Sequence, residues 1–420
     1  MNGNLSRRGL LRTGLLAGGA AATGSSWRNS PAFAADKAQG ADALIDGKDA
    51  RLLVHKAAPC EIETPWELLL EHPLTPKELL FVRNNQQLAD SQTLAPSTAT
   101  EWPIEFDGLV EFPRSMELKR LRELPQVERE MVLQCSGNGR KLFSQSSPCP
   151  GAPWHLGAVA NLKFGGPTLR SVVEELKLNV DPRAQFITAE GLDGPPKPDV
   201  ADFEHSLPLR DALDRSVLAL TMNGEPLPAA HGGPVRLVTP GYYGTMHVKW
   251  LSRIRFETSE TANHHQVRRY RTPYDPIKPG SEFQYDLGNS EPNWRMRIKS
   301  IIFSPSDGAI FNVSDGVTPS APGDKLTVRG VAFNDGACRI ERVEISTDGE
   351  TWRPAELEVP ESPYAWYRWQ AEVQGSGKHV IRCRAIDALG RTQPRDGAIH
   401  WNPAGYAWNG VHSVTAIISR

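Results

Sequence analysis

Cysteine is scarce in this sequence. Of 420 residues only five are Cys: Cys60, Cys135, Cys149, Cys338 and Cys383. No two stand in a C-x-x-C spacing and there is no C-x-x-C-H, which excludes an iron–sulfur cluster on the common spacings, an attached c-type haem and a zinc ribbon. Long apolar runs are lacking too. None approaches the roughly eighteen residues that a membrane-spanning helix needs. Net charge is nearly absent: 47 Lys and Arg against 49 Asp and Glu leave −2, which argues against a nucleic-acid polyanion as the main partner. What is present is 39% apolar residues, enough for large cores, with 36 Gly and 34 Pro. That texture predicts a turn-rich, strand-rich protein of two or three domains.

The first thirty-odd residues read as an address. Arg7-Arg8 sit in Ser6–Arg12, ahead of a mild Gly/Ala-rich stretch from Thr13 to Thr23, and Ala32-Phe33-Ala34 offers a small-residue cleavage site. The three parts in this order predict a twin-arginine export signal over 1–34 and a periplasmic mature protein. That route carries proteins already folded, often around a cofactor, so the signal raises the expectation of a bound redox group.

From about 40 to 285 short strand-like runs alternate with occasional helices. Leu169, Val172, Val173 and Leu176 fall at i, i+3, i+4 and i+7, predicting a helix after the turn at Gly165–Thr168. Val235–Val238 and Val248–Leu251 read as strands around the Pro240-Gly241 turn. Residues 273–293, rich in Pro, Gly, Asp, Asn and Ser, read as a linker. From 294 to 420 the pattern is all-β. Leu326, Val328, Ile381, Cys383 and Ala385 share inward faces, Arg382 and Arg384 point the other way, and Asp348-Gly349 closes a hairpin. This predicts an α+β architecture: a mixed α/β domain over 40–285, then an immunoglobulin-like β-sandwich.

The richest stretch in chemistry is Met131–Arg140, where an apolar strand delivers Cys135 into a loop containing Gly137 and Gly139, followed by Arg140. A fixed cation beside the sulfur favours thiolate. Taken on its residues alone, Cys135 has three readings: a buried structural thiol, a nucleophile with His155 or His231 as base, or the single protein thiolate of a metal whose other ligands come from a cofactor.

Several segments, in order, resemble the sulfite oxidase family of molybdopterin-dependent oxidoreductases. Met131–Arg140 resembles the family's molybdenum-binding loop, and Leu80-Phe81-Val82-Arg83-Asn84-Asn85 resembles its Phe-x-x-Arg-Asn-His stretch. Trp154, Gly157, Ala158, Phe164 and Gly166 match the segment after the cysteine loop. Ala189-Glu190-Gly191-Leu192-Asp193 matches a Glu-Gly-Leu-Asp turn. Met222–Pro228, His231, Pro234-Val235-Arg236, Gly241, Gly244, Val248–Leu251 and Arg268-Arg269-Tyr270 complete the block, and the resemblance runs from about residue 70 to the C-terminus.

The resemblance implies a molybdenum cofactor on molybdopterin, with Cys135 as the one protein ligand to the metal. It places His231, Arg236 and Lys249 on the pterin and its phosphate, where fixed cationic donors suit an anion. Asn85 stands where the family often has a cofactor-contacting His. Arg83, Arg140 and Tyr270 would border the substrate. Two departures bear on that substrate. Asn85 cannot become charged, and Ala404, in Trp401–Gly405, stands where animal sulfite oxidases carry an arginine of the anion pocket. The implied activity is oxidation of sulfite to sulfate in a homodimer, with electrons leaving to a c-type cytochrome. Sulfane-sulfur oxidation or sulfoxide reduction is the alternative, and a metal-free binding protein the third reading.

Among the remaining cysteines, Cys338 with Cys383 and Cys60 with Cys149 are candidate disulfides or separate thiols. His264-His265, in a polar run with no third ligand evident, is expected to face solvent.

Overall fold

The computed structural model describes residues 40–86, 101–194, 203–312 and 325–419; the predicted export signal lies outside them. The described residues form a mixed α/β lobe followed by a β-sandwich of immunoglobulin type.

Three sheets of the first lobe matter for the site. Leu53–Lys56, Glu61–Glu63 and Val82–Arg83 make a small antiparallel sheet in which Glu61 lies opposite Arg83. Val127–Gln134 pairs antiparallel with Val159–Gly166, which continues to Thr221–Met222 and Glu225–Pro226. Its Met131–Gln134 end is wholly buried, as an uninterrupted Met-Val-Leu run requires. The third sheet is five-stranded and mostly antiparallel, with Pro103–Gly108 and Leu251–Glu257 its parallel pair.

The predicted helix forms over Leu169–Glu175. Leu169 and Val172 are buried, and Thr168 caps it by accepting a hydrogen bond from the Ser171 amide, a normal N-cap arrangement. Val248–Lys249–Trp250 does not form the strand expected of it: pairing begins at Leu251. Trp250 has φ +48°, which no strand residue can hold. That kink places Lys249 against Gly232, where an added Cβ would lie 2.9 Å from the Lys249 side chain.

In the sandwich, Leu326, Val328, Ile381, Cys383 and Ala385 are core residues, as their alternation indicates. The hairpin at Asp348-Gly349 joins Ile340–Ser346 to Arg353–Pro354, with Gly349 at φ +84° and Asp348 accepting from the amides of Glu350 and Thr351. The 273–293 segment is more ordered than the word linker implies. Arg271–Pro273 pairs with Ser290–Pro292, and buried Arg271 donates to Ser290 and Glu260. One core cluster draws on both lobes, joining Val132, Phe143, Leu156 and Tyr243 to Ile301, Phe303, Trp366, Trp401 and Trp408. The sandwich therefore forms the floor beneath the cysteine loop. All five cysteines are free thiols, so neither candidate disulfide forms. Among the described residues, no helix is long and apolar enough to cross a membrane.

Candidate active site

One cavity gathers most of the singled-out residues. Arg83, Asn85, Cys135, His231, Arg236, Lys249 and Tyr270 all line it, together with Asn84, Thr245 and His247, around about 690 Å3 of empty space that includes its open mouth. They come from elements far apart in sequence. Arg83 ends the small sheet, Cys135 ends the Val127–Gln134 strand, and Arg236 begins Arg236–Val238. Tyr270 sits at φ +52°. A bulky residue in the left-handed region is strained, and such strain collects at functional sites; Trp250, the other aromatic among the positive-φ residues, lines the same cavity.

The Cys135 amide donates to Ala158 O, and its Sγ accepts from the Gly137 amide at 3.4 Å. Its pKa is raised. Burial dominates, although Arg83, Arg140 and the Gly137 amide pull the other way. The expected cationic activation of the thiol is thus outweighed. A protonated thiol is a poor nucleophile, whereas a bound metal deprotonates it outright. The candidate bases do not serve it either. His155 stacks on Trp66 at 4.5 Å and lies outside the cavity lining, and His231 is held by Lys48. The nucleophile reading therefore loses its base. Among the described residues, no three His, Cys, Asp or Glu side chains converge to hold a metal by themselves, so a metal at Cys135 needs ligands brought by a cofactor.

Arg236 donates from Nη1 to His231 O and from Nη2 to His247 O, both at 2.9 Å, while its buried Nε has no partner among the described residues. Burial lowers its pKa to about 9. Lys249 donates to Asn84 Oδ1 at 2.6 Å and to Ala230 O at 2.9 Å. Its pKa is well below the usual lysine value, through burial and then through Arg236. His231 is likewise pushed well down by burial and by Lys48, Lys249 and Arg236. A buried orphan N–H within a cluster of mutually repelling cations calls for an anion. The residues therefore fit a phosphate-bearing cofactor.

On the other wall, Arg83 Nη2 donates to Asn85 Oδ1 at 3.1 Å and to the Tyr270 hydroxyl at 3.3 Å, with Glu61 at 3.5 Å. Arg140 is placed differently from expectation, since it is not part of the lining. It donates from Nε to Ala404 O at 3.0 Å and from Nη1 to Ala152 O at 2.7 Å, and lies over the Tyr406 ring at 5.6 Å. Gly137, Gly151 and Gly405 wall it in, since a Cβ on any of them would come within 3.0 Å of its side chain. Ala404 thus contributes a carbonyl that holds Arg140, in place of an arginine of its own.

Sequence reasoning missed several neighbours. Tyr406 stacks on Tyr270 at 4.9 Å, giving an Arg140–Tyr406–Tyr270 pile. Of the histidine pair only His264 is exposed. His265 is buried, with Nδ1 3.4 Å from Asn85 Nδ2, because Asn263 caps the short His264–Val267 helix and turns it inward. Lys299, from the first sandwich strand, is buried behind the cysteine loop and donates to Gln134 Oε1 at 2.8 Å.

A cysteine at the end of a strand facing a cationic cavity fits a molybdopterin oxidoreductase site, and the comparisons point the same way. Residues 92–265 match the model of the oxidoreductase molybdopterin binding domain, and residues 290–419 that of the Mo-co oxidoreductase dimerisation domain. Mouse mitochondrial sulfite oxidase is 33% identical over 375 residues, covering 86% of this chain and 65% of that protein. Chicken sulfite oxidase is 32% identical over 378 residues, covering 85% and 77%. A crystal structure of the sulfane dehydrogenase SoxCD from Paracoccus pantotrophus superposes with a TM-score of 0.67 at 25% identity, covering 84% of this chain and 83% of that one. The chain thus spans about two thirds of the mouse relative's length. It belongs to the sulfite oxidase family, and its cofactor is molybdenum on molybdopterin.

Proposed function

We propose that the protein is a periplasmic sulfite dehydrogenase that passes electrons to a c-type cytochrome and works as a homodimer through its sandwich. The observation that carries the reading is the Arg83–Tyr270–Asn85 cluster facing Cys135 across one cavity. When bound, the cofactor supplies the two-electron, oxygen-transfer chemistry. The chain's own part is binding and orientation. Cys135 holds the metal, and Arg236, Lys249 and His231 hold the pterin phosphate. Arg83 presents a charge that stays fixed: burial works against it, but Tyr270, Glu61 and Cys135 together raise its pKa. It draws in the anion by preorganised electrostatics. Tyr270, gripped by Arg83 and backed by Tyr406, donates its hydroxyl hydrogen to a substrate oxygen.

A second reading rests on a specific observation. Ala404 contributes no guanidinium, and Arg140 is tied to two carbonyls outside the lining. One missing charge-assisted contact is worth roughly 1.5–3 kcal/mol. The substrate pocket is therefore less cationic than the family resemblance implies, which favours a less charged sulfur, such as sulfane sulfur on a carrier.

The test is steady-state reduction of cytochrome c or ferricyanide with sulfite and with a protein persulfide, on enzyme from a molybdopterin-producing host. Rapid turnover with sulfite is expected, and Cys135→Ser abolishes it. Turnover with persulfide alone reverses the order of the two readings. A well-folded protein without molybdenum refutes both.

A further inference from the structure

Lys48 lies in the turn between the Ala41–Leu44 helix and the Leu53–Lys56 strand, ahead of the matched cofactor-domain segment. It is buried. Its Nζ has three partners: Lys77 O at 2.5 Å, Leu80 O at 2.7 Å and His231 Nε2 at 2.9 Å. An ammonium has three hydrogens and no acceptor. Two go to carbonyls, which can only accept, and the third then goes to Nε2. An imidazole accepting at Nε2 must carry its own hydrogen on Nδ1.

We infer that Lys48 is a positioning residue for the cofactor, fixing His231 in the Nδ1–H tautomer so that this cavity-lining ring offers a hydrogen to an anionic group. The inference rests on the cofactor reading above. The arrangement parallels the carboxylate or carbonyl partners that orient metal-bound histidines, with the polarity inverted: a cation holds Nε2 and leaves Nδ1 as a donor. It also suits the electrostatics. A second full charge on His231 would add to Arg236 and Lys249, whereas a neutral ring donating one hydrogen binds an anion without that repulsion. Burial lowers the Lys48 pKa to about 7, with Glu78 and Cys60 opposing, and an anion in the adjacent cavity holds it charged.

The rival arrangement is specific. A neutral Lys48 amine has two hydrogens for the two carbonyls and a lone pair for an Nε2–H, which gives the opposite tautomer. Two-bond 1H–15N correlation on full-length, cofactor-free, 15N-histidine-labelled protein at pH 6, below the lowered Lys48 pKa, separates the two, His231 being assigned by the signal lost in His231→Asn. A single Nδ1–H form is expected in the wild type, and a mixture in Lys48→Met. In a molybdopterin-producing host, Lys48→Met should retain about tenfold less pterin, with turnover per bound molybdenum unchanged. An Nε2–H form in the wild type overturns the inference, and so does a Lys48→Met protein with unaltered tautomer or pterin content. If Lys48→Met does not fold, the wild-type spectrum decides. Wild type that never carries pterin refutes the cofactor reading instead, and the spectrum still judges the pair.

Discussion

Arg236→Met should separate a cofactor-binding arginine from a structural one, because its effect depends on whether the cavity is filled. In the cofactor-free protein, burial lowers the Arg236 pKa from 12.5 to about 9. At 1.36 kcal/mol per unit, holding the charge costs the folded state about 5 kcal/mol. The sign follows from linkage. Below pH 9 the arginine is protonated both folded and unfolded, so the whole penalty falls on the folded state at neutral pH. Methionine removes it, but leaves His231 O and His247 O without their donor, at about 1–3 kcal/mol each. The two effects nearly cancel, so cofactor-free Arg236→Met should lie within about 3 kcal/mol of wild type. In the loaded protein the arginine meets its anion and the penalty is gone, so the same substitution should cost several kcal/mol and most of the bound pterin. Urea unfolding of both forms at pH 7, with pterin quantified by fluorescence after oxidation, measures the contrast. Equal losses with and without cofactor would refute the reasoning and make Arg236 an ordinary core cation.

Two further predictions concern buried bases. His205, His247 and His412 are held neutral by burial, with pKa values of about 4, 3 and 3. As pH falls below 6.5 the unfolded chain takes up protons that the folded one refuses, so stability drops. At pH 5 each costs about 2 kcal/mol, about 6 together, comparable with a whole protein's stability. Cofactor-free protein should lose most of its stability toward pH 5, and His412→Gln, which frees the acceptor of the Ile302 amide from titration, should flatten the slope by up to about a quarter, since His231 is held neutral in the same way; an unchanged slope contradicts this. For Lys299 burial lowers the pKa to about 7, so the folded state pays below pH 7 and is relieved as pH rises toward the unfolded value. Cofactor-free Lys299→Met should gain on wild type most below pH 7 and lose that advantage by about pH 10. A pH-independent difference would refute the assignment.

Which residues would line the cavity was largely legible because its parts are local motifs. A strand into a Gly-containing loop presents Cys135, and the strand Val82–Arg83 presents Arg83, wherever the rest of the chain goes. The sandwich core was legible for the same reason: alternation at Ile381, Cys383 and Ala385 is a two-residue signal. Relations made only by tertiary packing were hidden. Lys48 is a single lysine in a polar turn, and no pattern distinguishes it from the exposed majority. The kink at Trp250 overrides a stretch with good strand propensity, since packing against Gly232 outweighs a local preference. His265 turns inward because Asn263 caps its helix, a consequence a polar run does not advertise.

Arg140 shows how the surrounding backbone sets what a matched residue can reach. It keeps its position five residues after Cys135, yet donates to the carbonyls of Ala152 and Ala404 and is walled by three glycines. An arginine at position 404 would repel it, whereas an alanine there leaves only a carbonyl, which attracts it. The residue at 404 and the placement of Arg140 are therefore coupled. Changing one should move the other, so Ala404→Arg should lower the KM for sulfite by about 10- to 150-fold, the equivalent of 1.5–3 kcal/mol, if sulfite is the natural anion with Arg140 displaced toward it. If the pocket evolved for an uncharged sulfur, the same variant should leave sulfite turnover low and abolish activity on a persulfide. A variant that leaves both activities unchanged would show that neither position reads the substrate.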